Sequence, residues 1–175
     1  WLKKELKRTE LRGKTLGILG VGRIGNELAK RALAFDMRAV GFNPRTRTSP
    51  YAEMLGSMRD VLNISDYVSL HVPVTGETEG IINRETLKDF KDGAFLINTS
   101  RGRVIVEEDV AKALRNGKLA GFGNDVWYSD PPENSPLMAA PNVLMTPHIG
   151  GSTAENQSRV GEIVSRIIGE YLKGR

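Results

Sequence analysis

Short apolar runs and helical periodicity alternate along most of the chain. Residues 15–20 (TLGILG) predict a short buried strand, and Ile24, Leu28, Ala32 and Phe35 then recur at helical spacing. Residues 38–42 form a second apolar run that stops at a turn, Asn43-Pro44. A strand, a glycine-bearing turn, a helix and a strand within about thirty residues make a βαβ unit. Further on, residues 66–72 (DYVSLHV) are strand-like and stop at Pro73, which cannot donate to a ladder. The pattern predicts a short helix over 84–90, a strand over 94–99, and a helix over 107–116. That last helix sets Val110, Ala113 and Leu114 on one face and stops at Gly117. Residues 119–126 and 142–146 predict two more strands. The strongest periodicity comes last, with Val160, Ile163, Val164, Ile167, Ile168, Tyr171 and Leu172 on one helical stripe. Residues 50–65 fit no template, and a strand there is missing or vestigial. Strands alternating with helices imply an α/β fold, a doubly wound parallel sheet of Rossmann type in a single domain with a C-terminal crossover helix.

Composition narrows the class. A chain of 175 residues suits one domain, and 39% hydrophobic with 26% charged residues is ordinary for a soluble globular protein. The longest apolar runs, such as 94–97, are far too short to cross a bilayer, so no membrane partner is expected. The absence of cysteine excludes disulfides and thiolate metal sites and fits a reducing cytoplasm, and no metal set is read elsewhere. The formal charge is +4, and the basic residues are spread along the chain, with the densest clusters at 3–14 and 45–47. The first cluster has no interleaved aromatics to stack bases, so it reads as a solvated face and not as a nucleic-acid footprint.

Gly20, Gly22 and Gly25 stand in the spacing G-x-G-x-x-G, after a strand and opening a helix. In that setting Gly20 permits the tight turn, Gly22 lets backbone approach a pyrophosphate, and Gly25 lets the helix pack close to the strand. The helix starting near Arg23 aims free N–H groups at the phosphates. An acid that holds the ribose of NAD is expected about twenty residues on. Asn43 stands there instead, followed by Pro44-Arg45-Thr46-Arg47. Asparagine does not repel a 2′-phosphate, and Arg45 or Arg47 can pair with one. The cofactor is therefore NAD or NADP, with a lean to NADP.

Four stretches, GKTLGILGVGRIG, LINTSRGRVIVEEDVAKAL, LAGFGNDVW and NVLMTPHIGGST, together resemble the D-isomer-specific 2-hydroxyacid dehydrogenases, in order and over nearly the whole chain. HIGGSTAENQ is most similar to the phosphoglycerate dehydrogenase branch, the Asn-Pro-Arg-Thr turn to NADP-using glyoxylate and hydroxypyruvate reductases, and DVWY to formate dehydrogenase. The resemblance implies hydride transfer between a nicotinamide dinucleotide and a D-2-hydroxy or 2-oxo acid. It places the substrate-carboxylate arginine at Arg101 and the acid/base histidine at His148. Arg101 lies just past a predicted strand end, where ligands bind in open α/β sheets, but spacing alone equally fits a structural arginine. The other histidine, His71, sits in an apolar run and reads as a core residue. The family's glutamate partner for the histidine falls at Asp130, one methylene shorter, which puts the pairing geometry in question. Asp125 matches the residue near the nicotinamide ring. The resemblance adds cofactor contacts at Arg23, Ile24, Val72, Pro73, Thr99, Ser100, Ile149, Gly150 and Gly151, while Trp127 and Tyr128 read as wall and core.

In this family the cofactor domain is inserted into a substrate domain built from both chain ends. The expected division is a lead-in over 1–12, a dinucleotide-binding domain over 13–151, and a helix over 152–175 leading back toward a substrate domain. The chain alone is then expected to hold cofactor without turnover, and to form a homodimer. Which 2-hydroxy acid is used stays open. The rival reading is a non-catalytic, dinucleotide-sensing module of corepressor type.

Overall fold

The computed structural model describes residues 9–174. Strands β1 (Thr15–Leu19), β2 (Arg38–Phe42), β3 (Glu53–Met54), β4 (Tyr67–Leu70), β5 (Ala94–Asn98), β6 (Leu119–Asn124) and β7 (Val143–Met145) form one sheet in the order β3-β2-β1-β4-β5-β6-β7. Every neighbouring pair is parallel. Helices α1 (Arg23–Leu33), α2 (Met58–Ile64), α3 (Glu107–Arg115) and α4 (Ala154–Lys173) accompany it. The chain reverses its winding between β1 and β4, which is where a doubly wound sheet opens a crevice at its C-terminal edge.

Helices cover the two faces with different residues. On one side Val61 and Leu62 of α2 and Val110, Ala111 and Leu114 of α3 join Val40, Val68, Leu70, Leu96 and Phe122 in the larger core cluster. On the other, Ala29 and Ala32 of α1 pack with Leu16, Ile18, Val21 and Ala39. Small residues face the sheet from α1, so the helix comes close to β1. Of the apolar stripe expected from Ile24 to Phe35, Ala32 is buried and Leu28 packs against this cluster, whereas Ile24 is 70% exposed and Phe35 lies exposed beyond the helix end.

Several expected elements change extent or kind. The stretch 50–65 holds the two-residue β3, a vestigial strand, and then α2, which the periodicity had not indicated. The helix expected over 84–90 is one 3-10 turn, Thr86–Asp89. Its cause is local competition for the backbone, because the Asn83 carboxamide oxygen accepts from the Glu85 and Thr86 amides. The strands expected over 66–72, 119–126 and 142–146 are shorter, since their last residues turn into loops at the C-terminal edge. Helix α4 carries the apolar stripe from Val160 to Leu172, and none of its residues is buried. Among the described residues no helix is long and apolar enough to cross a membrane. The basic cluster at 3–14 lies mostly outside the described residues.

Candidate functional site

Parallel strands bring every predicted site residue to one edge, because each follows the C-terminal end of its own strand. The glycine turn follows β1, Asn43 follows β2, Val72 and Pro73 follow β4, Thr99 to Arg101 follow β5, Asp125 follows β6, and His148 follows β7.

The glycines build a cradle. Gly20 has φ +92°, and a Cβ there would lie 2.7 Å from the His71 carbonyl oxygen, so the turn can close against the end of β4 only with glycine. A Cβ on Gly25 would press on the Gly20 carbonyl at 3.0 Å and Ile18 at 3.1 Å. Above Gly22 the space is open. Helix α1 starts with no side-chain cap and no acid in its first turn. Its first intrahelical bond runs from Asn26 N to Gly22 O, so the amides of Arg23, Ile24 and Gly25 have no partner within the helix. An open glycine beneath an uncapped helix end fits a pyrophosphate.

The loop that follows β2, where the ribose of a dinucleotide is expected, is anchored at both ends. Asn43 donates from Nδ2 to the Val21 carbonyl (3.1 Å) and accepts at Oδ1 from the Arg45 amide (3.0 Å). Its carboxamide is thus turned back onto the glycine loop. At the other end Ser49 donates to Asn26 Oδ1 (2.6 Å) and accepts from the Tyr51 and Ala52 amides, while Asn26 Nδ2 donates to the Gly22 carbonyl. Between these anchors Arg45 and Arg47 are exposed.

Arg101 is carried by a loop that Asn98 organises. Fully buried Asn98 accepts at Oδ1 from the Ser100 amide and hydroxyl, and donates from Nδ2 to the Arg101 carbonyl (3.0 Å). The Arg101 guanidinium is exposed and donates to the Ser100 carbonyl (2.7 Å). Gly102 then packs directly under the Trp127 carbonyl. Trp127 is buried and donates from Nε1 to the Thr146 carbonyl, as a wall residue should, whereas Tyr128 is exposed, with the Arg103 guanidinium over its ring.

His148 and Asp130 meet, with Nδ1 to Oδ2 at 3.2 Å, so the shorter aspartate does reach the imidazole. Both side chains are about half exposed, and such a pair contributes only about 0–1 kcal/mol. His148 also has φ +56°, a left-handed conformation uncommon outside glycine. Asp125 is bound far more firmly. Its Oδ1 accepts from Thr146 Oγ1 (2.6 Å) and the Ile149 amide (2.9 Å), and its Oδ2 accepts from the Gly150 amide (2.8 Å). Bonds to a charged acceptor are worth about 1.5–3 kcal/mol each. Burial opposes its ionisation, but these three donors hold the carboxyl below its usual range. His71 bonds Ser69 Oγ (2.9 Å), and burial pushes its imidazole down toward the neutral form. Asn26, Ser49, Asn98, Gly102 and Thr146 were not singled out from sequence. The one usable signal was Asn98 just ahead of Thr-Ser, an Asx-turn pattern.

Residues 1–150 match the family described as D-isomer specific 2-hydroxyacid dehydrogenase, NAD binding domain. The chain is 44% identical over 174 residues to hydroxypyruvate reductase of Thermotoga maritima, covering 97% of this chain and 57% of the relative. It is 39% identical over 178 residues to D-3-phosphoglycerate dehydrogenase of Methanocaldococcus jannaschii, covering 99% and 34%. The crystal structure of D-lactate dehydrogenase from Aquifex aeolicus, complexed with NAD and lactic acid, superposes with TM-score 0.87 at 32% identity, covering 97% of this chain and 56% of that one. The chain thus spans between a third and just over half the length of these relatives. With the cradle, the single parallel edge and the histidine–carboxylate pair in place, the conclusion is that the chain belongs to the D-isomer specific 2-hydroxyacid dehydrogenases, as their NAD-binding domain.

Proposed function

We propose that this chain is the cofactor domain of an oxidoreductase that moves a hydride between a nicotinamide dinucleotide and a D-2-hydroxy or 2-oxo acid of phosphoglycerate, glycerate or glyoxylate type. The observation that carries the reading is the sharing of one sheet edge by the glycine cradle, Arg101 and the His148–Asp130 pair. The cofactor supplies hydride chemistry at its ring. Gly22 and the amides of Arg23, Ile24 and Gly25 would hold its pyrophosphate, and the backbone of Val72, Pro73, Thr99, Ser100, Gly150 and Gly151 would contact the rest of it. Arg101 holds the substrate carboxylate as a charge-assisted pair, releasing the Ser100 carbonyl it now binds. His148 exchanges the proton of the C2 oxygen at Nε2, and Asp130 at Nδ1 fixes its tautomer and stabilises the imidazolium.

The Asn43 that follows β2 in place of an acid, and the exposed Arg45 and Arg47, support NADP over NAD, because asparagine does not repel a 2′-phosphate and arginine pairs with one. The exposed stripe on α4 supports burial against further chain or a second copy, and a homodimer in the cytoplasm is the assembly we infer, with residues 13–151 as the dinucleotide-binding unit. Nothing in the site favours the corepressor-type module. NAD(P)-linked oxidation of a panel of 2-hydroxy acids by the full-length protein tests the reading. Tight dinucleotide binding without turnover of any of them would overturn it.

A further inference from the structure

Resting on the proposed activity, we infer that Asp125 is a positioning residue for His148, its buried carboxylate bracketing the histidine and holding it in its left-handed backbone conformation. The bracket is visible in the partners. Thr146 stands two residues before His148, and Ile149 and Gly150 stand one and two residues after it, and all three donate to this one carboxylate. Asp125 is only 7% exposed, and its own amide bonds the Asn98 carbonyl on β5. Thr146 is fixed in turn from the sheet, its amide bonded to Asn124 O and its carbonyl to Trp127 Nε1. The latch is therefore mounted on two strands.

Gly150 is shaped for it, since a Cβ there would lie 2.9 Å from Asp125 Oδ2. His148 has little else to fix it. Its ring is half exposed and meets one half-exposed carboxylate, Asp130. A side chain with such weak contacts points where its backbone sends it, and a left-handed φ of +56° persists only when the surroundings over-determine it. Asp125 supplies that determination from both sides. Three of its roughly four acceptor positions are spent on the loop, leaving about one toward the cofactor.

The test compares Asp125→Asn, Thr146→Val and Thr146→Ser in the full-length enzyme, alone and with His148→Ala. Asparagine keeps an acceptor for Thr146 and Ile149 but sets an N–H₂ against the Gly150 amide. Expected is a roughly 10–100-fold lower kcat in Asp125→Asn, the scale of a small misplacement of a reacting group, with dinucleotide Kd within about threefold of the parent. In the His148→Ala background the same substitution should cost nothing further, because its effect passes through the histidine. Thr146→Val should move kcat in the same direction by a smaller factor, and Thr146→Ser, which keeps the hydroxyl, should restore it. Multiplying effects in the double variant, or a dinucleotide affinity that falls about tenfold while kcat holds, would overturn the inference. A protein that turns over no 2-hydroxy acid sinks the activity reading alone. Amide hydrogen exchange at Ile149 and Gly150 then decides the latch, accelerated about tenfold in Asp125→Asn if it exists and unchanged if it does not.

Discussion

Gly102 and Trp127 touch backbone to side-chain position, so that a Cβ built on Gly102 would overlap the Trp127 carbonyl. The loop that presents Arg101 is thereby packed against the loop that leads to Asp130. Gly102→Ala forces these loops apart, and overpacking of this kind costs about 1–3 kcal/mol. The urea midpoint should fall accordingly, and in the full-length enzyme the KM for the hydroxy acid should rise as Arg101 moves. A midpoint equal to the parent's would show that the contact relaxes without strain.

The proton chemistry separates by residue. His148→Ala should lower kcat by about 10²–10⁴-fold, the usual contribution of a general acid/base. Arg101→Ala should raise KM and lower kcat together if, as proposed, it both binds and orients the substrate. Asp130→Asn removes the counter-charge of the imidazolium, so the histidine limb of the pH–rate profile should move to lower pH. If that limb stays in place while His148→Ala abolishes turnover, the histidine depends on another partner.

Cofactor binding divides between the cradle and the ribose loop. Gly22→Val fills the open space above the turn and should abolish dinucleotide binding by calorimetry. Asn43→Asp should shift preference from NADP to NAD by about 1–3 kcal/mol, and because aspartate cannot donate to the Val21 carbonyl, it should also loosen the loop. An unchanged NADP/NAD ratio would move the discrimination to Arg45 and Arg47.

Acid sensitivity should appear far from the site, at Asp66. Burial opposes ionisation there, but the Lys91 ammonium (2.6 Å) and the Thr15 amide (2.9 Å) override it and hold the carboxyl below its ordinary value. A carboxylate depressed in the folded state stabilises fully above its unfolded pKa of about 3.9, and that stability disappears as pH falls through the lower folded value. Asp66→Asn should cost about 1–3 kcal/mol at neutral pH and flatten the acid limb of stability against pH. Parallel curves for parent and variant would exclude this role.

The β1–α1–β2 unit was legible because a strand, its glycines and a helix each leave a local pattern. Helix α2 was not, because seven residues burying only Val61 and Leu62 make no periodic stripe. Its start was still written in Ser57 and Asp60, whose side chains and amide bond one another in a capping pattern. Arg101, Asp130 and His148 were reached through family likeness, since each sits alone in its own loop. The bonds of Asn98 to Ser100 and Arg101 are local and left an Asx-turn pattern, whereas those of the Asp125 carboxylate to the loop around His148 left none, because such partners are chosen by how distant loops close on one another.

The strand order also acts as a ruler. Neighbouring strands lie about 4.8 Å apart, so β5, which presents Arg101, stands about 10 Å from the cradle strand β1, and β7, which presents His148, about 19 Å. A ligand anchored at Gly22 has to be long and extended to meet the histidine, and a mononucleotide seated in the same cradle ends short of it. Selection for a dinucleotide is thus a matter of length, measured out in hydrogen-bonded strands before any side chain recognises a base.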